Sequence, residues 1–252
     1  YAAPFLNERA TNAADGMEKS YGEILKLLSL LEENAPVFRG STSFLKDEQT
    51  PVVSPAALDL VERARQYSPE HPLYVVAIGA ITNIASALLL DPGIAENIVV
   101  VWLGGHALHN PDTLEFNMRQ DVAAARVVMG SEAPFVQLPC LGVVSSFRIS
   151  GPELEFWLKG KNAISEYLAQ NTITAAERYA AKMAWTRCLW DVTAVAWLMN
   201  DGDRFMSSRI TPTHLPNYEN QYEMQEDGLP MRYIYEIKRD ALMTDLLYRL
   251  IG

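Results

Sequence analysis

Cysteine is nearly missing from this sequence: Cys140 and Cys188 are the two thiols in 252 residues. Two cysteines make no disulfide framework, so the chain does not read as a small cross-linked secreted domain. A reducing cytoplasm is the simplest expected compartment. Positive charge is also short. Lys and Arg number 21 against 31 Asp and Glu, giving a formal charge of −10. That balance argues against a nucleic-acid backbone as partner, which demands a basic surface. No apolar run approaches the roughly 18 residues of a membrane span, and no signal sequence opens the chain. The G-x-S-x-G elbow, the Walker loop and G-x-G-x-x-G are all absent, which removes support for serine-triad and phosphate-loop chemistry. Histidine is scarce too, at four residues. His106 and His109 stand three apart after two glycines, a poor spacing for a metal pair on a helix, so loop histidines are expected.

What is present is apolar patterning. Hydrophobic residues make up 49% of the chain, enough for a sizeable core in one large domain. Helices are expected over 16–33, where Met17, Tyr21, Ile24, Leu25, Leu28 and Leu31 form one stripe, over 54–68 behind Ser54 and Pro55, and over 82–90. Short strands are expected at 35–40, 73–79, 97–105 and 134–139. Those from 73 onward are continuous apolar runs that alternate with helices, the pattern of a parallel sheet covered on both faces. The fold expected is α/β, an open, mostly parallel, Rossmann-like sheet in a single domain over 1–252. Residues 151–200 read as mostly helical, 201–230 as a loop-rich insertion, 231–238 as an edge strand, and the last residues as a closing helix. "YAAPF" at 1–5 reads as a strand end running into a loop, and suggests that upstream residues are missing.

Ligands of such sheets bind beyond the carboxyl ends of the strands. Two segments mark such ends: Ile78-Gly79-Ala80, and Gly104-Gly105. "TLEFNMRQDVAAARVVMG" (113–130) follows the second. If its start is extended, Glu115 and Asn117 share a face, and a helix capped by Asp121 and stopped at Gly130 comes after. Glu115 then serves a ligand or the free N–H groups of the helix start. Asp191, in "LWDVTAVAWLMN", reads either as a helix cap or as a carboxylate that binds something in apolar surroundings.

Three stretches taken together, "VVAIGAITNIASAL", "LGG" followed by "EFNMRQDVAAARVVM", and "WDVTAVAWL", resemble in order and spacing the inosine–uridine-preferring nucleoside hydrolase family. The resemblance covers about residues 1–200, with "AAPFLN" where the family has a short strand ending in Gly-Asn. It implies hydrolysis of the N-glycosidic bond of a ribonucleoside or related ribosyl compound, assisted by calcium, with a small-molecule partner and a possible homo-oligomer. It implies that Asp191 and the Ile78 backbone carbonyl hold the metal. Asn7, Asn110, Glu115, Asn117 and Asp191 are then substrate-binding residues. Trp190 stands where many members carry a leaving-group histidine; indole cannot donate a proton in that way, though it can stack on a base. The family's opening D-x-D-x-x-x-D-D cluster, source of most calcium ligands and of the general base, is not in this sequence and is expected upstream of Tyr1. Residues 1–252 alone are therefore expected to hold calcium poorly. "DGMEKSY" (15–21) has no counterpart in the family pattern, which points to an uncommon substrate. The alternative is a non-catalytic member that binds a ribosyl ligand as sensor or scaffold.

Overall fold

The computed structural model describes residues 1–225 and 228–252. In chain order the first half runs α1 (Ala13–Leu30), α2 (Pro55–Ala64), β1 (Leu73–Ala77), α3 (Thr82–Leu90), β2 (Ile98–Leu103), α4 (Phe116–Gln120), α5 (Val122–Met129) and β3 (Phe135–Leu138). Then come β4 (Arg148–Ser150), α6 (Gly151–Trp157), α7 (Ala163–Ala180), β5 (Thr186–Cys188) and α8 (Val192–Trp197). The chain closes with β6 (Met206–Pro212), β7 (His214–Pro216), β8 (Tyr222–Met224), β9 (Pro230–Ile237) and α9 (Arg239–Ile251).

The main sheet has the order β1-β2-β3-β9-β6. The first three neighbouring pairs are parallel and β6 runs antiparallel to β9. Side chains alternate across it with period two, and the core splits accordingly. Val100 and Trp102 of β2 face the layer of α2, α3 and α5, whereas Val101 and Leu103 face the opposite layer with α8 and α9. Burial on both faces explains the unbroken apolar run of β2, a mostly parallel sheet with helices on each side.

Several expectations change. Residues 35–40 form no strand, because Phe38 and Arg39 each give a carbonyl to one backbone N–H, of Ala2 and Ala56, instead of joining a ladder. Helix α1 starts at Ala13, capped by Asn12, whose side chain accepts from the Asp15 N–H. Of its proposed stripe only Met17 is buried; Leu25 and Leu31 are exposed. Residues 231–238 are not an edge: β9 lies between β3 and β6, and β6 holds the outer position. The stretch 201–230, read as loop-rich, carries β6, β7 and β8; Glu226 and Asp227 lie outside the described residues.

Candidate functional site

The site is built around the carboxyl ends of β1 and β2. Trp102 is wholly buried, and its indole N–H donates to the Gly79 carbonyl at 3.0 Å, which pins the turn after β1 to β2. Beyond that turn, Thr82 donates to Asp121 at 2.7 Å, and Asp121 caps α5 through the Ala124 N–H. The side chain of Asn83 ties the amino-terminal segment down: its amide donates to the Ala2 carbonyl at 2.8 Å, while its oxygen accepts from the Ser41 N–H. Gly16 lets α1 touch that segment, since a Cβ there would sit 1.9 Å from the Phe5 carbonyl oxygen. These contacts bring 1–10, the β1 turn and α1 to one place.

Glu115 and Asn117 are not a pair on an extended run. Glu115 is the N-cap of α4, and Asn117 lies inside that short helix. The Glu115 carboxylate accepts from the backbone N–H groups of Gly105, Asn117 and Met118 at 3.0, 2.9 and 2.9 Å, and the residue is 6% exposed. Serving the helix start, one of the two roles open to it, is thus occupied. The Cys140 thiol lies beside the same carboxylate, and burial, then that negative charge, holds it far above the usual thiol range. Gly105 makes this loop possible with a φ of 76°, and a Cβ there would lie 2.1 Å from the Tyr222 hydroxyl. Asn117 donates its amide to the Leu103 carbonyl at 2.9 Å and, more weakly, to the Ile78 carbonyl at 3.4 Å. No described protein donor reaches its Oδ1.

A cleft of about 680 Å³ opens here, and Asn7, Ile78, Asn117 and Asp191 all line it. Asp191 precedes α8 but makes no capping bond with its side chain. It is exposed by surface area because it faces the cleft, yet protein packs around its carboxylate. Dehydration, and secondarily the negative charge of Glu115, raises its pKa to about 6, with Arg187 opposing. Its carboxylate has no hydrogen-bond partner among the described residues. Lone ionised groups in such places are costly unless something binds them.

The other expected residues sit elsewhere. Asn110 does not line the cleft; its amide donates to the Leu141 carbonyl at 3.1 Å. Trp190 packs against the core layer that holds Val101 and Leu103, so it is not a cleft wall. Neither His106 nor His109 lines the cleft, and burial lowers the proton affinity of His106. Sequence reasoning missed the walls: Ser20, Glu23, Ile24 and Leu27 of α1, and Tyr167 and Asn171 of α7. The signal for α1 was its spacing of three, four and seven residues, taken for a core face.

Asp191 and the Ile78 carbonyl are hard oxygen donors of the kind calcium takes, but they are two where six to eight are typical. Among the described residues no group of three or more His, Cys, Asp or Glu side chains converges to hold a metal. Among the described residues these two donors are a partial ligand set rather than a complete site. Among the described residues no helix is long and apolar enough to cross a membrane.

Comparison with known structures finds the same fold. The purine-preferring ribonucleoside hydrolase from Gardnerella vaginalis matches with a TM-score of 0.75 at 21% identity, covering 94% of this chain and 86% of that one. An inosine-guanosine nucleoside hydrolase matches with a TM-score of 0.73 at 18% identity, over 93% and 86%. The type III effector protein XopQ, solved as a complex with adenosine diphosphate ribose, matches with a TM-score of 0.61 at 18% identity, over 96% and 83%. No curated protein matches the chain in sequence. The family profile described as inosine-uridine preferring nucleoside hydrolase matches residues 8–230, so the chain belongs to that family.

Proposed function

We propose that this cleft binds the ribose of a ribonucleoside or related N-ribosyl compound, and that the protein hydrolyses its N-glycosidic bond with calcium assisting. The observation that carries the reading is the meeting of an unpartnered carboxylate, Asp191, with the Asn117 amide and the Ile78 carbonyl in one cleft at the strand ends. In the reaction the C1′–N bond breaks, a water oxygen bonds to C1′, and the departing nitrogen takes a proton. The sugar passes through an oxocarbenium-like state, which a nearby negative charge stabilises. Asp191, ionised and facing the cleft, supplies that charge. The open Oδ1 of Asn117 accepts from a ribose hydroxyl, and its amide is held by Leu103 so that the oxygen stays aimed. Glu115 acts from behind, fixing the backbone that carries Asn117. Asp191 and the Ile78 carbonyl would hold calcium as two of its oxygen ligands, and the ion would supply positive charge that makes a bound water a better nucleophile. The two cysteines are free and buried, which suits a reducing cytoplasm.

A second reading is a member that binds a ribosyl ligand without turning it over. Its support is the neighbour solved with adenosine diphosphate ribose, together with the incomplete metal ligand set. The test is reducing-sugar release from a panel of ribonucleosides, in excess calcium or a chelator, run beside calorimetric binding. Calcium-dependent release that is lost in Asp191→Ala is the expected result. Ribonucleoside binding with no release at saturating calcium favours the second reading. Release that survives both the chelator and Asp191→Ala overturns the role given to Asp191.

A further inference from the structure

The loop between β2 and α4, residues 104–115, contains no strand or helix, yet it carries both Gly105 and Glu115. Neighbouring strands steady its start: the Cys140 N–H donates to the Gly105 carbonyl at 2.8 Å, and the Leu108 N–H to the Tyr233 hydroxyl at 3.1 Å. The β7–β8 hairpin is the element that reaches both ends. Near the start, the Tyr222 hydroxyl donates to the His106 carbonyl at 3.0 Å and accepts from the Gln137 amide at 3.1 Å. The same Gln137 nitrogen, wholly buried, donates to the Gly104 carbonyl at 3.1 Å. Those two carbonyls flank Gly105. At the far end, the Thr113 N–H donates at 2.8 Å to the carbonyl of Asn220, in the turn of the hairpin. Burial pushes the Tyr222 pKa above the usual tyrosine range, so the hydroxyl keeps the proton it donates.

A hairpin of two three-residue strands is marginal alone, and contacts with the α5 layer fasten this one. Leu215 packs on that layer, and Arg126 of α5 donates to the Pro216 carbonyl at 2.9 Å. Glu48 pairs with Arg126 at 2.7 Å and accepts from the Tyr218 hydroxyl at 2.9 Å. Resting on the ribosyl reading above, we propose that Tyr222 is a positioning residue for the ribose site, setting the aim of Asn117 through Gly105 and Glu115. Tyr222 and Gln137 fix the chain on either side of Gly105. The Gly105 N–H donates to Glu115, and the same carboxylate accepts from the N–H groups of Asn117 and Met118. Helix α4 has five residues, too few to hold its shape unaided, so the place of Glu115 decides the place of Asn117. Tyr222 itself is not a wall of the cleft, so it acts on the sugar contact from behind.

The test compares wild type, Tyr222→Phe and Gln137→Met by calorimetric titration with inosine and with 2′-deoxyinosine in excess calcium. Phenylalanine keeps the ring and its packing and loses only the hydroxyl. Tyr222→Phe is expected to weaken inosine by about fivefold and to leave 2′-deoxyinosine unchanged, because only the contact to the missing sugar hydroxyl depends on that aim. In an Asn117→Ala background the same change is expected to leave the ratio of the two affinities where Asn117→Ala alone puts it, since the residue it acts through is gone. Amide hydrogen exchange without ligand gives a second measurement: Gly105, Asn117 and Met118 exchange faster in Tyr222→Phe, whereas Ala124, which donates to Asp121, does not. Gln137→Met removes the donor to Gly104 and Tyr222 and is expected to repeat the pattern; it stands in if the phenylalanine variant does not fold. A lower urea midpoint with the inosine preference kept at its wild-type value is what a merely structural role gives, and it overturns the proposal while the ribosyl reading stands. Unchanged exchange at the three amides, or a further loss of preference in the Asn117→Ala background, overturns it in the same way. Equal affinity of the wild type for the two nucleosides overturns both.

Discussion

Replacing Asp191 with asparagine is expected to stabilise the protein at neutral pH and to do nothing in acid. The side chain keeps its shape and loses only its charge. Burial, with Glu115 nearby, raises the pKa of Asp191 from 3.8 to about 6. The folded state therefore holds this proton more tightly than the unfolded chain, and ionisation favours unfolding. The group's favourable contribution is complete below about pH 4 and is lost as pH rises through about 6. The gap between 3.8 and about 6, at about 1.4 kcal/mol per pH unit, sets a ceiling of about 3 kcal/mol. Asp191 faces an open cleft, and water screens it, so about 1 kcal/mol is the expected share. For a chain of this size that is a rise in Tm of about 3 °C. The assay is thermal unfolding of wild type and Asp191→Asn from pH 3.5 to 8, in a chelator. A gain that grows from about pH 4 and levels off above about pH 6 is the expected result. A loss of stability at pH 7.5, or a change that does not vary with pH, would mean that the carboxylate makes a favourable contact, such as a helix cap, which this structure lacks.

Three other outcomes follow from the same geometry. Glu115→Gln leaves one acceptor oxygen facing three backbone N–H groups, so it is expected to cost about 2 kcal/mol in urea unfolding. An unchanged midpoint would show that the three bonds are not made in solution. Gly105→Ala meets both a positive φ and the Tyr222 hydroxyl, and is expected to cost more than about 2 kcal/mol. Adding Tyr222→Phe should return part of that loss in the same unfolding assay; no recovery would show that the hydroxyl is not the obstacle. Calcium titrated calorimetrically into residues 1–252 is expected to bind no tighter than about 1 mM, since one carboxylate neutralises the ion poorly. Micromolar binding would mean that other carboxylates converge on Asp191.

The parallel sheet was legible because its strands are buried on both sides. Val99 to Leu103 can hardly be anything but an interior strand, and the helices around it carry their own caps at Ser54 and Asp121. The position of β9 was not legible. Its alternation, with Met231 and Tyr233 buried and Arg232 exposed between them, looks the same for an edge strand as for one with an antiparallel neighbour. Helix α4 has five residues, too few for a period to show, so Glu115 and Asn117 read as extended. The strand-end rule, a property of topology, marked the Ile78 turn and the approach to Asn117, and the family resemblance added Asp191; all three line one cleft. Neither Asn110 nor Trp190 lines that cleft, because each is engaged by carbonyl or core contacts that no short motif records. The α7 wall needed the tertiary contact between Tyr167 and Glu23, which lies outside any local pattern.

Whether Asn117 and Asp191 make a ribose site is tested most directly by calorimetric binding of a ribonucleoside and its 2′-deoxy counterpart at matched pH and excess calcium. Loss of one hydroxyl leaves a polar partner in the cleft unpaired, which costs about 1–3 kcal/mol. The deoxyribonucleoside is expected to bind at least about tenfold more weakly, and Asn117→Ala to erase most of the difference. Equal affinity for the two sugars in the wild type would contradict it.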